Sequence, residues 1–252
     1  YNKEEYIDAL IKNIHDSNVG FAGFFKKKYL KNFLNNEIFD RQSKEYIKHI
    51  NIPSKRTKDI IIKTLKKCEK HIPAQSIKVF IFPSYNSFIN LKMGGTSGFT
   101  PYKNTFIIFI NSLNKKWQSN LRVTTAHEFC HSQHLLYQRW ETLLDSLIFE
   151  GLAENFSEKI TKIRTPWSHS TTFIRSKKIF SLIKDNLPSK SQRAYYELFL
   201  ENKKYKIWTG YSVGYWILKS FLKSNKECSW KDIFKLTPQE ILNLSNYLKN
   251  PK

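Results

Sequence analysis

Ala126-His127-Glu128-Phe129-Cys130-His131, followed by Phe149-Glu150-Gly151-Leu152-Ala153-Glu154, is the pair of stretches around which this chain is organised. The first contains an H-E-x-x-H motif. On a helix, residues four apart share one face, so His127 and His131 can reach one metal ion. Glu128 follows the first histidine and can approach a water on that metal without ligating it. A second helix packed against the first could bring in Glu150, with Glu154 one turn further on. Two histidines and one glutamate, with a fourth position left to water, form the ligand set of a catalytic zinc site.

The second stretch reads as a helix from Glu141 to Ile160. Leu143, Leu144, Leu147, Ile148, Leu152, Phe156 and Ile160 make it largely apolar. Carboxylates on a mostly buried helix need a metal or hydrogen-bond donors. His134 lies one turn beyond His131 and is an alternative third ligand. Three ligands from one short helix suit a tetrahedral site poorly, and Glu150 would then have no role, which favours Glu150. Cys130 points away from the metal face and reads as a packing residue.

Outward from this centre, residues 1 to about 72 read as a helical N-terminal region. Tyr6, Ile7, Leu10, Ile11 and Ile14 recur at helical spacing. A break is expected at Asn18 to Gly23, and a second helix from Phe24 to Phe39. A third, capped by Ser54, runs to Ile72. The character changes at Pro73, where a catalytic region spanning 73–252 begins, the whole forming one continuous globular unit. Ser76 to Phe82 reads as a strand, Ser87 to Met93 as another, and Thr105 to Ile110 as a third. The stretch from Gly94 to Thr100 lacks the G-K-S/T ending of a phosphate loop; its glycines allow another chain to approach the backbone closely. A small sheet of three or four antiparallel strands is therefore expected before the motif helix, which Asn120 or a neighbour caps. After the glutamate helix come a loop containing His169 and helices at 171–186 and 190–201. A further helix carries Tyr211 and Tyr215 on one face. The last begins at Thr237-Pro238-Gln239-Glu240, a capping box with proline at the first helical position.

Composition sets outer bounds. The 252 residues carry 42 Lys and Arg against 21 Asp and Glu, a formal charge of +21. Such an excess attracts polyanions, including anionic lipid, cell-wall polymers and nucleic acid. The chain is also rich in Lys, Asn and Ile, as AT-rich genomes dictate, and no specific nucleic-acid motif is present. Three widely spaced cysteines, Cys68, Cys130 and Cys228, make no disulfide framework. That usage favours a reducing, cytoplasmic interior. The start at Tyr1 rather than Met leaves room for a removed leader and hence for an envelope or secreted location. No apolar run is long enough to span a membrane.

The arrangement resembles the gluzincins, zinc peptidases with H-E-x-x-H and a downstream glutamate ligand. The 18 residues between His131 and Glu150, and the Glu150-Gly151 pair, match the aminopeptidase N family. The chain is more closely similar to the YjaZ-like family of predicted zinc-dependent proteases, a bacterial domain. That resemblance rests on the glycine-rich strand around Gly98, on Ala126-His127-Glu128 with His131, and on Leu143-Leu144-Asp145 running into Glu150-Gly151-Leu152-Ala153-Glu154. Gly210-Tyr211-x-x-Gly214-Tyr215 is a fourth block, and together they span roughly residues 76 to 222. Cys130 departs from the polar residue expected there.

The resemblance implies an α+β, zincin-like metalloprotease fold with a small, mostly antiparallel sheet, an active-site helix and a glutamate helix. It implies one zinc per chain on His127, His131 and Glu150, with Glu128 as catalytic base. Glu154 would hold a ligand histidine, and Asp145 would give similar support. Tyr211 or Tyr215 would donate to the oxyanion, and the strand at Gly98 and Phe99 would bind a peptide or protein substrate. Two other functions fit the same residues: zinc-dependent hydrolysis of a non-peptide amide, and a non-catalytic, metal-stabilised domain that binds polyanions.

Overall fold

The computed structural model describes residues 3–14, 27–38, 51–200 and 203–249. The described chain is mixed α+β and mostly helical, and it divides into two compact units, Tyr1–Gln133 and His134–Lys252. The expected break at Asn18 to Gly23 lies outside the described residues.

The first unit is built on a three-stranded sheet. Helices α1 (Lys3–Ile14), α2 (Lys27–Ile38) and α3 (Ser54–Glu69) precede strand β1 (Lys78–Pro83). Short helix α4 (Ser87–Lys92), strands β2 (Thr96–Tyr102) and β3 (Thr105–Ile110), and helix α5 (Trp117–His134) follow. The strand order is β1-β3-β2, with β1 parallel and β2 antiparallel to β3. The sheet is thus mixed, not mostly antiparallel. The strand expected at Ser87 to Met93 is helix α4: the Asn86 side chain accepts from the Phe88 N–H and caps a turn that buries only Ile89. Local capping decides short apolar runs that periodicity leaves ambiguous.

Every residue of β3 is buried, because both faces of the sheet are covered. Alternation separates those faces. Ile107 and Phe109 join Phe82 and Tyr102 in a core with Ile7, Ile11, Leu30 and Leu34 of α1 and α2. The other face belongs to α5. Thr96 and Thr124 share a 2.8 Å hydroxyl contact, Asn120 Nδ2 donates to the Gly94 carbonyl, and Gln133 Nε2 donates to Asn104 Oδ1. Asn120 therefore ties α5 to the glycine turn, while Asn114 accepts from the Lys116 N–H just ahead of the helix. Ser54 is likewise the first residue of α3, and Pro53 occupies its cap position.

In the second unit, α6 (Leu143–Thr161) packs most extensively on α9 (Thr209–Ser224). Between them in sequence lie α7 (Phe173–Ile183), a 3-10 turn (Lys184–Asn186) and α8 (Gln192–Phe199). Helices α10 (Trp230–Lys235) and α11 (Pro238–Leu244) complete the unit. Helix α6 is apolar on nearly every side and buried along most of its length. At its crossing with α9, Gly151 faces Gly214: a Cβ on Gly151 would lie 2.6 Å from the Gly214 carbonyl carbon. The two backbones touch because neither position carries a side chain. Thr142 and Asp145 form a reciprocal capping box on α6, and Thr237 and Glu240 form the expected one on α11.

Candidate metal centre

Helix α5 places His127 and His131 on one face, as a four-residue spacing requires. Their Nε2 atoms lie 2.9 Å apart, with the rings edge to face. His131 is buried and His127 half-buried. Glu150 is also buried, and it heads the Gly151 crossing on α6. His127, His131 and Glu150 each offer one ligand atom, and these atoms all lie within 4.8 Å of one another. Nitrogens bound to one tetrahedral zinc at about 2.0–2.1 Å would be separated by ~3.3 Å. Two imidazoles and a carboxylate converging this closely suit such an ion in number, chemistry and spacing.

His134 is not in that group. It is buried, with its ring centroid 5.7 Å from that of Phe149 and 5.2 Å from that of Phe234. The helix ends there: the Tyr137 and Gln138 N–H groups both donate to the His134 carbonyl. The histidine has left the ligand face for an aromatic pocket.

Glu128 is 5% exposed and sits against the sheet. Thr100 Oγ1 donates to its Oε2 at 2.7 Å and lies 3.2 Å from its carbonyl oxygen. Gly98, two residues earlier on the same face of β2, lies directly beneath the side chain: a Cβ there would come within 2.6 Å of Oε1. Phe99 points the opposite way, packing on Phe33 at 4.8 Å. Strand alternation thus turns the Phe99 side chain away from Glu128.

Glu154 is 1% exposed and both carboxylate oxygens are engaged. Oε1 accepts from Trp167 Nε1 at 2.6 Å and Oε2 from Thr165 Oγ1 at 2.5 Å. These donors fix the loop after α6 onto that helix. Asp145, expected to support the site, spends its Oδ2 on the Glu141 and Thr142 N–H groups and so serves the α6 cap.

The two tyrosines on α9 have different surroundings. Tyr215 is buried, and its hydroxyl donates to Glu158 Oε2 at 2.6 Å. Burial and that bond push the phenol above its ordinary value, so it stays protonated. Burial also raises Glu158, but the Tyr215 hydroxyl, Arg164 at 3.0 Å and Lys219 at 3.3 Å outweigh it and hold the carboxyl below its usual range. His169, beside Tyr215, is lowered by burial and by Arg164. Tyr211 is half-buried, its ring edge-on to Phe199. Thr100, Thr165, Trp167 and Glu158 escape a motif-based reading. Only Thr100 leaves a trace in the sequence, two residues after Gly98 on a strand.

The site is thus a histidine pair and a glutamate able to hold one metal ion, with a buried carboxylate next in sequence to the first histidine. Residues 57–243 match a family described as a predicted Zn-dependent protease, DUF2268. The match covers most of the chain, and the protein belongs to that family. No curated protein and no solved structure matches it. Among the described residues, no helix is long and apolar enough to cross a membrane.

Proposed function

We propose that the protein is a zinc metallopeptidase of the gluzincin type, in which His127, His131 and Glu150 hold one zinc ion and Glu128 is the general base. The observation that carries this reading is the convergence of two imidazole nitrogens and one carboxylate oxygen within 4.8 Å. When bound, zinc supplies Lewis acidity, polarising a carbonyl and bringing the pKa of a water from 15.7 toward about 7. The carboxylate of Glu128 takes a proton from the attacking water and passes it to the leaving amine nitrogen. A purely structural metal site needs no such buried acid beside its ligands.

Tyr211 is the proposed donor to the developing oxyanion, because the Tyr215 hydroxyl is already committed to Glu158. Glu154, anchored by Thr165 and Trp167, gives the α6 ligand stretch a rigid polar backing. A peptide substrate fits better than a small amide because β2, which carries Gly98, is one of the two outer strands of the order β1-β3-β2. An extended chain can add to that edge by backbone hydrogen bonds. The charge of +21 adds attraction to polyanionic surfaces, without the motif of a specific nucleic-acid binder.

Metal analysis of purified protein tests this reading, together with cleavage of a peptide library and of small amides. One zinc per chain and cleavage of peptides are expected, both lost in Glu150→Ala. Full zinc retention by Glu150→Ala would remove the glutamate from the ligand set.

A further inference from the structure

We infer that Thr100 and Gly98 on β2 are positioning residues that hold the Glu128 carboxylate in its working orientation. The inference rests on the reading of Glu128 as general base. Its observations are separate: a 2.7 Å hydroxyl bond to Oε2, a second approach of the same hydroxyl to the Glu128 carbonyl at 3.2 Å, and a strand backbone lying under the side chain.

Three facts give this arrangement a function beyond docking the helix. First, α5 is already fastened to the sheet side at Thr96–Thr124, Asn120–Gly94 and Gln133–Asn104. A fourth bond that reaches a carboxylate oxygen adds little to that attachment. Second, Thr100 engages one oxygen, Oε2, while the space that a Cβ on Gly98 would take is filled by Glu128, with Oε1 at 2.6 Å, Cδ at 2.7 Å and Cγ nearer still. Thr100 thus bonds the carboxylate, and Gly98 makes room for the side chain that carries it. Third, residues two apart on a strand share a face, so a single strand presents both the donor and the gap. A glutamate has three side-chain torsions to immobilise, and a base that must meet a water in one geometry gains when they are fixed beforehand. A charge-assisted bond of 2.7 Å is of the strong kind suited to that. The gap at Gly98 is equally required, since any Cβ there takes the space that the side chain occupies.

The test compares zinc-loaded wild type, Thr100→Val, Thr100→Ser, Gly98→Ala and Glu128→Gln. Its readouts are zinc content, melting temperature, kcat and KM on a quenched fluorescent peptide chosen from the library, and the crystallographic conformation of Glu128. Thr100→Val is expected to stay folded, with a modestly lower melting temperature, and to keep its zinc and its KM. Its kcat should fall roughly ten- to hundredfold, the equivalent of one hydrogen bond to a charged group. Its Glu128 side chain should occupy more than one conformer. Thr100→Ser, which retains the hydroxyl, should restore both kcat and the single conformer. Gly98→Ala should retain zinc and displace Glu128. Unchanged kcat in Thr100→Val, alongside an inactive Glu128→Gln, would overturn the inference and leave the catalytic reading standing. Full activity in Glu128→Gln would overturn the catalytic reading instead. In that case the conformation of Glu128 in Thr100→Val still decides whether Thr100 holds it: a single wild-type conformer refutes the inference.

Discussion

Replacing Gly151 by alanine sets two physical effects against each other. Helix propensity alone favours the change by up to about 1 kcal/mol, because glycine is the poorest ordinary helix former. The crossing of α6 and α9 opposes it. The new Cβ would sit 2.6 Å from the Gly214 carbonyl carbon and closer still to its oxygen. Carbon atoms pack at roughly 3.5–4.0 Å, so about 1 Å of separation has to be found. The opposing atoms are backbone, so no side-chain rotation relieves the clash and the helices themselves must part. Overpacking costs typically 1–3 kcal/mol, and a backbone clash belongs at or beyond the upper end. The net effect is a destabilisation of about 2 kcal/mol. That corresponds to a melting temperature lower by roughly 4–8 °C for a chain of this size. Glu150 is the adjacent residue, so zinc affinity should weaken with stability. Thermal unfolding of the metal-free protein isolates the packing effect, and zinc titration reads the second. A Gly151→Ala variant as stable as wild type, or more so, would refute the close crossing.

Other expectations follow from the same contacts. His134→Leu should retain zinc fully, since His134 packs between Phe149 and Phe234; zinc loss as complete as in Glu150→Ala would make it a ligand. Tyr215→Phe should lower stability at neutral pH without removing zinc. Glu158 is held below its ordinary value of 4.5. It therefore contributes stability above that value and loses it as pH falls through the lowered one. The gap between wild type and Tyr215→Phe should shrink on acidification below pH 4.5, as urea unfolding across that range will read; a gap that widens would contradict the pairing.

The legibility of this chain followed from how local each feature is. His127, Glu128 and His131 could be read because one helix fixes their geometry. Glu150 could be read because a carboxylate in an apolar helix demands a partner. The capping box at Thr237 is equally local, and it stands as expected. Features set by tertiary context were less legible. The run from Ser87 to Met93 looks like a strand until Asn86 caps it. The parallel pairing of β1 with β3 depends on the path of the whole connection between them. Asp145 looked like support for the site and is spent on the α6 cap. The partners of Glu154 come from the loop beyond α6, at Thr165 and Trp167, and nothing in their spacing announces that role.

The most direct measurement of the central claim is hydrolysis of a peptide substrate by zinc-loaded Glu128→Gln against wild type at equal zinc content. Glutamine keeps the size of the side chain and can still accept from Thr100, but it cannot carry a proton from water to the leaving amine. One zinc per chain in both proteins and a loss of at least roughly a hundred- to ten-thousandfold in kcat are predicted. Equal rates in the two proteins would contradict the account.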